Sequence, residues 1–501
     1  MIAAALPLWH FLIGVASLAV PRGKKWLLLG SIVIDAVLIS ILAREVVAQG
    51  PARIVLGGWD RTVGIELYAD WVSLSFCGLF LVLAGAVTAY IWREGLQAYF
   101  FLLLHLLFGS VLALLFANDL FSMYVILELL TLVSFLLVGY ERRPEQLWAG
   151  LKYMVFAAFG MGVYLFGVGV MYGHLGTLNL SLIAARIPAE LPPWGVLGAA
   201  LLVTGVAVKA GIFVFSLWLP GAHASAHPAV SALLSGLVIK MGFVVLLRLS
   251  GVFPLGLTFL VLGTATGILG AAYAIYTYDL KRLLAFSTLS QIGYLLVGLG
   301  AGATGGAVAY AVAHGLFKGL LFLAGGEAVR TSGVRDISRM SRKGIPARAR
   351  IGLLVGTLGI IGLPPFAGFV GKGLIHGGAA VQAVVGLITL GTTVAFAKLI
   401  PLFRGAGTGQ PRWERAAAYT ILAIPILLFP LGVGAVAPCS GAFSFSAVVK
   451  ALFIIGGGVL LHRFLFRRPV LLPERIFRLE EGLLIIVFGL FLVFALIWFG
   501  G

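Results

Sequence analysis

Five ionisable residues lie inside long apolar stretches of this sequence: Glu128, Lys209, Lys240, Lys318 and Lys372. A charge at membrane depth costs about 3 kcal/mol even on permissive insertion scales, so a buried ionisable residue there indicates a functional site. Lysine suits proton transfer because burial lowers its pKa and a nearby carboxylate raises it again, whereas arginine stays protonated. Four basic groups and one acidic group in such positions predict a path for ions across a membrane.

The elements that must hold these residues are transmembrane helices. The chain has 501 residues, of which 61% are hydrophobic and 11% are charged, whereas a soluble domain carries about 25% charged residues. Apolar stretches of about 20 residues recur along the chain, and each is long enough to cross a bilayer. We therefore predict an all-α, polytopic transmembrane bundle. The sixteen candidate spans are 2–20, 26–46, 70–92, 97–117, 119–140, 151–173, 195–219, 229–249, 252–276, 282–302, 305–327, 350–376, 379–403, 416–436, 443–466 and 481–500.

Several other classes of protein are excluded by what the sequence lacks. The first span has no basic n-region and no small-residue cleavage site, which favours a helix over a removable signal peptide. Cys77 and Cys439 give neither a disulfide framework nor metal-ligand spacing. There is no Walker loop, dinucleotide-binding glycine motif, nucleophile elbow or Fe–S cysteine cluster. We expect no catalytic, cofactor or metal site in this chain, so any redox energy must come from partner subunits.

The net charge of +17 could suggest nucleic acid as a partner, but the basic residues lie in short loops. Of 35 Lys and Arg residues, 24 lie in or beside loops that follow odd-numbered spans, and five follow even-numbered spans. This asymmetry is the positive-inside pattern of membrane proteins. It predicts an even number of spans in a cell membrane, with both termini outside the cytoplasm, and no nucleic-acid partner.

Two regions carry corresponding helix interruptions. Lys209 is followed by a proline-punctuated stretch that ends at Pro228, and Lys372 is preceded by Gly362-Leu363-Pro364-Pro365. Interruptions in corresponding parts of two halves indicate broken helices at an ion site. The predicted organisation is N-terminal helices over 1–96, a first half-channel repeat over 97–249, a second over 250–403, and C-terminal helices over 404–501.

Four motifs in the same order resemble those of the antiporter-like subunits that respiratory complex I, Mrp-type Na⁺/H⁺ antiporters and membrane-bound energy-converting hydrogenases share. The motifs are Lys209 to Lys240 with Trp218-Leu219-Pro220 between them, Asp279-Leu280-Lys281-Arg282 to Tyr294, His314-Gly315-Leu316-Phe317-Lys318, and Gly362-Leu363-Pro364-Pro365 to Lys372. The resemblance covers roughly residues 50 to 440. It implies about 14 core helices in two inverted repeats, with helices 7 and 12 broken, plus about two extra C-terminal helices.

The resemblance also implies a role for each buried charge. Glu128 would pair with Lys209 and modulate it, and Lys372 would be the last proton site before the outer side. His314 and Lys318 are four residues apart and share one helix face, and the near-neutral pKa of histidine suits a relay. The residues assigned to proton translocation are Glu128, Lys209, Lys240, His314, Lys318 and Lys372.

The remaining polar residues receive weaker interpretations. His223 and His227 frame the loop after the seventh span and are candidates for proton uptake from the cytoplasm, since the loop has too few ligands for a metal. Asp279, Lys281 and Arg282 are expected to form a loop ion-pair cluster that sets helix geometry. Asp35 and His105 belong to no motif, and we expect structural roles for them. Lys398 and Lys450 are expected to make lateral contacts or water contacts.

The chain departs from the family pattern around these residues. Ala210 follows Lys209 where the family often has proline, and Ser216 stands where a histidine is common. Tyr310 stands where the family often has a second histidine, one turn before His314. These changes leave the lysines in place and alter the predicted water path between them.

Three complexes fit the sequence. A short basic loop from Arg463 to Arg478 stands where the largest complex I antiporter-like subunit has a long lateral helix. That leaves a middle complex I subunit, an Mrp-type subunit or a hydrogenase-type subunit, and we favour the last. Its expected partners are neighbouring antiporter-like and other membrane subunits and a cytoplasmic redox arm that holds Fe–S or Ni–Fe centres. The alternatives are a self-sufficient Na⁺/H⁺ antiporter and a non-pumping scaffold; the ion is H⁺, with Na⁺ left open.

Overall fold

The computed structural model describes residues 1–404, 412–434, 443–466 and 479–500. Within these ranges, fifteen helices are long and apolar enough to cross a membrane. A broken pair, Ala347–Ile361 and Ala367–Gly373, lies at the predicted twelfth span and makes the sixteenth crossing. The predicted all-α, multi-pass bundle is therefore confirmed. Cys439 and most of the loop from Arg463 to Arg478 fall outside the described residues.

The N-terminal half contains eight crossings and one small hairpin, in which the two strands pair antiparallel. The π-helical segment Leu234–Val238 joins two α-helical pieces into the single crossing Pro228–Ser250. The elements are α1 (Ile2–Ala19), α2 (Lys24–Gln49), β1 (Ala52–Val55), β2 (Glu66–Ala69), α3 (Trp71–Ile91), α4 (Ala98–Phe116), α5 (Leu120–Val138), α6 (Pro144–Leu175), α7 (Leu180–Arg186), α8 (Pro193–Ala210), α9 (Leu219–Ser225), α10 (Pro228–Leu233) and α11 (Ile239–Ser250).

The C-terminal half supplies the other eight crossings. Its elements are α12 (Gly256–Tyr276), α13 (Leu280–Gly300), α14 (Thr304–Ser332), α15 (Ile337–Lys343), α16 (Ala347–Ile361), α17 (Ala367–Gly373), α18 (Ala379–Ala397), α19 (Ile400–Phe403), α20 (Trp413–Gly434), α21 (Phe445–Phe464) and α22 (Leu479–Gly500). The crossing Pro228–Ser250, α13 and α14 are almost wholly buried, whereas only a third or fewer of the residues of α1, α2 and α21 are buried. Helices that are apolar on all sides belong in the interior, so the polar residues of α11, α13 and α14 are placed in the core.

The element order of α5 to α9 recurs in α13 to α17. Each unit has two long helices, a helix of seven residues, a third long helix and a second helix of seven residues. An isolated backbone bridge joins Asp119 to Asn179 in the first unit and Asp279 to Asp336 in the second. The units begin five crossings apart, and this odd offset makes them run in opposite directions. This recurring order is what two inverted repeats would produce, and the repeats and their boundaries stay a prediction.

Both predicted helix breaks are confirmed. The residues after α8 and α16 are Gly211 with φ 74° and Gly362 with φ 79°, a left-handed conformation that glycine adopts without steric cost. The predicted span 195–219 continues ten residues past Lys209, and this is wrong, because Gly211 ends α8 just after it. Lys209 is nevertheless 7% exposed, so its charge lies inside the protein.

Gly368 allows α17 to pack against the end of α16. A Cβ added at Gly368 would lie 1.8 Å from the carbonyl oxygen of Gly359, which is backbone and cannot rotate away. We expect Gly368→Ala to lower the free energy of unfolding by about 1–3 kcal/mol, the usual effect of overpacking, as measured by thermal unfolding in detergent. Gly378→Ala is the control, because a Cβ there meets no described atom within 4 Å. Equal loss of stability in both variants would contradict the packing argument.

Candidate functional site

Lys209 and Glu128 face each other across α8 and α5. The Lys209 Nζ lies 3.8 Å from Glu128 Oε1 and donates a hydrogen bond to Thr131 Oγ1. The separation from the carboxylate exceeds a normal hydrogen bond, and Glu128 Oε1 has no hydrogen-bonding partner among the described residues. The side chain of Glu128 is 28% exposed and that of Lys209 is 6% exposed. The pair is therefore an ion contact that stops short of a hydrogen bond, and its acidic member reaches the bundle surface.

The break after Lys209 is stabilised by an aromatic side chain. Because α8 ends at Ala210, its last carbonyl groups lack partners within the helix. Trp218 Nε1 donates to the carbonyl oxygen of Val208 at 3.0 Å. The family-like Trp218-Leu219-Pro220 motif thus secures the end of the helix that carries Lys209.

Lys240 is fully buried at the start of α11. Its Nζ donates to the carbonyl oxygen of Ser235 within the π-helical segment Leu234–Val238. Single π turns in α-helices occur frequently at functional sites. The Ser235 hydroxyl in turn lies 2.8 Å from Thr288 Oγ1 on α13. The π turn therefore gives the ammonium an acceptor that carries no charge.

The helices of Lys209 and Lys240 are in backbone contact. A Cβ added at Gly242 would lie 2.6 Å from the backbone of Ala210. Glycine at this position lets α11 press directly against the end of α8. The two lysines thus lie on neighbouring helices, each within two residues of this contact.

His314 and Lys318 share one face of α14 with Lys240 opposite. Lys318 Nζ donates to the carbonyl oxygen of Leu284 at 2.7 Å and to Ser287 Oγ at 2.6 Å. The charges of Lys240 and Lys318 are close enough to interact with each other and with the imidazole of His314. Neither ring nitrogen of His314 has a hydrogen-bonding partner among the described residues. Both nitrogens are therefore free to accept or donate a proton.

Lys372 binds the end of the broken twelfth span. Its Nζ donates to the carbonyl oxygens of Ile360 and Ile361 at 2.9 and 3.3 Å. These are the groups that the break after α16 leaves without intrahelical partners. The Nζ also lies 5.0 Å from the centre of the Tyr294 ring, within reach of a cation–π attraction. Lys372 itself therefore occupies carbonyl groups that the break frees.

A chain of neutral polar groups lies between His314 and Lys372. The Tyr310 ring stacks on His314, with centroids 6.5 Å apart and planes 16° apart. The Tyr310 hydroxyl donates to Gln291 Oε1, and Gln291 Nε2 donates to Thr392 Oγ1 at 3.1 Å. Tyr294 packs edge-on against Tyr310 at 5.3 Å. Gln291 received no role from the sequence, although an amide in a wholly buried helix is a signal that could have identified it.

The two histidines predicted for proton uptake have different surroundings. His227 Nδ1 accepts from the Ala229 backbone N–H at 3.2 Å, and His227 Nε2 donates to Glu94 Oε2 at 2.8 Å. Both of its nitrogens are therefore occupied. His223 is buried, has no hydrogen bond of normal geometry among the described residues, and lies within electrostatic reach of Lys240 and Lys318. Of the two, only His223 adjoins the lysines.

Lys281 was missed as a member of this group. The predicted loop ion-pair cluster is wrong for it, because Asp279 instead accepts the Arg282 backbone N–H at 2.9 Å and caps α13. Lys281 is buried and donates to the carbonyl oxygen of Ala226 at 2.5 Å. It also lies within electrostatic reach of His223. Its position two residues after a helix-capping aspartate suggested a surface loop, but the loop between α9 and α10 covers it.

Glu94 is the centre of an ion cluster beside His227. Its Oε1 lies 3.1 Å from Arg330 Nη1 and 3.5 Å from Arg415 Nη2. Burial opposes ionisation of Glu94, but the hydrogen bond from His227 and the neighbouring positive charges outweigh it and hold the pKa of Glu94 below its usual value. The cluster joins the loop between α3 and α4 to α14 and α20, so it fixes helices around the lysines.

The described residues contain no group of three or more His, Cys, Asp or Glu side chains arranged to hold a metal ion. Within the same part of the chain, Lys240, Lys318 and Lys372 make no ion pair with a carboxylate. Their acceptors are carbonyl and hydroxyl oxygens. The site is thus a row of buried amines and imidazoles, suited to binding and passing protons.

Comparison of the sequence with known proteins gives consistent matches. The family described as "NADH:quinone oxidoreductase/Mrp antiporter, TM" matches residues 117–397. The N subunit of the NADH-quinone oxidoreductase of Desulforudis audaxviator is 32% identical over 454 residues, which covers 83% of this chain and 90% of that protein. The D subunit of the Na⁺/H⁺ antiporter of Alkalihalophilus pseudofirmus is 31% identical over 395 residues, covering 72% of this chain and 78% of that protein.

Two solved structures share the fold. A chain of the membrane-bound sulfane sulfur reductase, an archaeal respiratory membrane complex, superposes with a TM-score of 0.79 at 23% identity, covering 91% of this chain and 99% of that one. A chain of the Mrp complex from Dietzia sp. superposes with a TM-score of 0.77 at 21% identity, covering 92% and 100%. At these identities the match establishes the fold.

Proposed function

This chain belongs to the NADH:quinone oxidoreductase/Mrp antiporter family of membrane subunits, and we propose that it moves protons along its buried lysines within a redox-driven complex. It is a multi-pass, antiporter-like, ion-translocating subunit of a membrane complex. The observation that carries the proposal is the row of buried lysines, three of which bind only uncharged oxygens. Such an ammonium is held without a fixed counter-ion, so it can give up its proton.

Protons enter from the face that carries the basic loops, which the positive-inside pattern assigns to the cytoplasm. His223 and Lys281 are the proposed entry groups, because both are buried and His223 lies within electrostatic reach of Lys281, Lys240 and Lys318. The first half-channel, 97–249, loads Lys209 and Lys240, and the second, 250–403, releases protons to the outer side. The order proposed for the row is Lys209, Lys240, His314 with Lys318, and Lys372.

The Glu128–Lys209 contact is the control point of the row. A carboxylate close to Lys209 favours the ammonium, and a carboxylate that withdraws favours the neutral amine. At 3.8 Å the two groups stand between these states. Because Glu128 reaches the bundle surface, a charge on a neighbouring membrane subunit attracts or repels it and so sets the protonation of Lys209.

The second candidate is an Mrp-type or stand-alone antiporter without redox partners. It is favoured by the relative from the Na⁺/H⁺ antiporter of Alkalihalophilus pseudofirmus, whose identity to this chain is 31%, against 32% for the relative from NADH-quinone oxidoreductase. Both candidates use the same lysine row. They differ in what drives it and in whether Na⁺ moves in exchange.

Isolation of the assembled complex in mild detergent, followed by mass spectrometry and proton-uptake assays in vesicles, separates these candidates. Co-purified subunits that carry Fe–S or nickel centres, or that reduce quinone, support the redox-driven pump. Small membrane subunits alone support the Mrp type. Full transport by this chain purified alone contradicts the proposal that it works within a complex.

Tyr310→Phe should slow transport on the order of tenfold, equivalent to about 1.4 kcal/mol of barrier. The change removes the hydroxyl that donates to Gln291 between His314 and Lys372 and keeps the aromatic ring. The measurement is the initial rate of proton uptake into vesicles. Tyr419→Phe is the control, because its hydroxyl is also buried but donates to Glu327 Oε2 at 2.7 Å, outside the row. Equal slowing in both variants would remove Tyr310 from the path.

A further inference from the structure

Three titratable side chains meet in the membrane interior outside the lysine row. His10 on α1, Asp35 on α2 and His105 on α4 are all fully buried. His10 Nε2 lies 2.7 Å from Asp35 Oδ2, and His10 Nδ1 lies 3.1 Å from His105 Nδ1. Each residue is near the middle of its helix. Structural roles were expected for Asp35 and His105, and no sequence signal connected them to His10.

Two glycines bring α1 and α4 close enough for this contact. Gly14 lies four residues after His10, and Gly109 lies four residues after His105, so each shares the helix face of its histidine. A Cβ added at Gly14 would lie 3.1 Å from His105 Cβ, and one at Gly109 would lie 2.7 Å from the Phe11 ring. The close helix contact therefore places the two imidazoles edge to edge.

The triad is separated from the lysine row by α3. One side of α3 packs against the row, since Cβ atoms added at Gly236 and Gly315 would touch Leu83 and Leu79. The other side faces the triad through Phe80, whose ring meets His10 edge-on at 6.0 Å.

The other groups around the triad are apolar, with one exception. Phe108 on α4 also meets the His10 ring edge-on, at 5.7 Å. This exception is the Cys77 thiol on α3, a titratable group that lies within electrostatic reach of Asp35. No cation of the lysine row makes an ion pair with the triad in the part of the chain that the structure describes. The charge of the triad therefore depends on the protons that its own three side chains hold.

The hydrogen-bond pattern allows two proton counts. The contact between the two Nδ1 atoms requires one hydrogen, held by either ring. If His105 donates it, His10 is neutral and donates its single proton, on Nε2, to the Asp35 carboxylate, so the triad carries one negative charge. If His10 donates it, His10 is an imidazolium that donates to both neighbours, His105 holds its proton on Nε2, and the triad is neutral. The two states differ by one proton.

The end atoms of the triad are open. His105 Nε2 and Asp35 Oδ1 are buried and have no hydrogen-bonding partner among the described residues. A proton that binds His105 Nε2 releases the Nδ1 proton of that ring to His10 Nδ1, so the charge moves inward without movement of a heavy atom. An isolated negative charge at membrane depth is expensive, and the bound proton removes it.

We propose that the His10–Asp35–His105 triad is a second intramembrane proton-binding site, which takes up and releases one proton through His105 Nε2. This proposal does not depend on the lysine row. Because α1 and α2 lie at the bundle edge, the site is placed to sense protons where the chain meets its surroundings. Metal binding is not favoured, since the two Nδ1 atoms point at each other and none of the three residues belongs to a metal-holding group among the described residues.

The test is a pH titration of the full chain in lipid nanodiscs, with ¹⁵N-labelled histidine followed by solid-state NMR. His10→Asn and His105→Asn identify the two signals. The expected result is coupled titration of both rings, in which His10 gains a proton as the His105 proton moves from Nδ1 to Nε2. Asp35→Asn should abolish that step. His376→Asn, which removes a loop histidine, is the control and should leave it intact.

A second measurement does not depend on the variants folding. The net proton uptake of the wild-type chain is recorded in a pH jump, together with the ¹⁵N spectra of its histidines. Wild-type spectra with no pair of rings that titrate together would overturn the proposal. The wild-type spectra alone decide this point.

Discussion

Lys209→Ala should abolish proton translocation by this subunit while the bundle still assembles. The change removes the amine that contacts Glu128 and donates to Thr131. Loss of a group that accepts and releases a proton typically costs at least about a hundredfold in rate. The measurement is proton uptake in vesicles that contain the assembled complex, with subunit stoichiometry checked by mass spectrometry.

Two further variants separate proton transfer from charge and packing. Lys209→Arg keeps a positive charge near Glu128 but cannot release its proton, so we expect the same loss as for alanine. Thr131→Val keeps the amine and removes the hydroxyl that accepts its hydrogen bond, so we expect partial activity. Pumping at the normal rate by the alanine variant, or full activity with arginine, would exclude Lys209 as a proton carrier.

Lys372→Met should also eliminate transport, and Lys398→Met provides a matched control. Both lysines are buried, and both donate to carbonyl oxygens at a helix end. Lys372 binds Ile360 and Ile361 at the end of α16, and Lys398 binds Ala274 and Ile275 at 2.6 and 2.9 Å at the end of α12. If these lysines only cap helices, both variants lose stability and neither loses transport selectively.

The lysine row gives a different expectation for each variant. Lys372 lies beside Tyr294, which packs on Tyr310 and so adjoins the polar chain from His314. Lys398 instead lies over Tyr278, at the loop before α13. We expect the folded fraction of Lys398→Met to pump at the wild-type rate, whereas folded Lys372→Met does not pump. Thermal unfolding and proton uptake on the same samples provide both readings, and matching transport losses would refute the distinction.

The crossings and breaks could be predicted from the sequence because their causes are local. Length and hydropathy define a span, and Gly211 and Gly362 end helices through their own backbone freedom. The lysines were recognisable because charge is rare in such spans and because their motifs resemble a known family. The exact position of each lysine in its helix could not be predicted. For Lys209, the distance to the helix end depends on where Gly211 adopts its left-handed conformation.

Contacts between residues distant in sequence could not be predicted. His10 and His105 are 95 positions apart, and periodicity within α1 or α4 does not show which faces of two helices meet. Gln291 acquires its place only when α13, α14 and α18 pack together. Lys281 was assigned to the surface because its helix begins in a loop, and only the tertiary path of α9 and α10 shows that it is covered.

The π-helical segment before Lys240 makes the helix register adjustable. A π turn holds one more residue than an α turn, and each residue of an α-helix turns the chain by about 100°. Conversion of Leu234–Val238 to α geometry would therefore rotate Lys240 by about that angle around its axis, without unfolding the crossing. The amine would turn from the α14 side of the helix to another neighbour. A helix that rotates in this way can connect the Lys240 proton to one side of the row at a time. Such alternating connection prevents protons from flowing back through the pump.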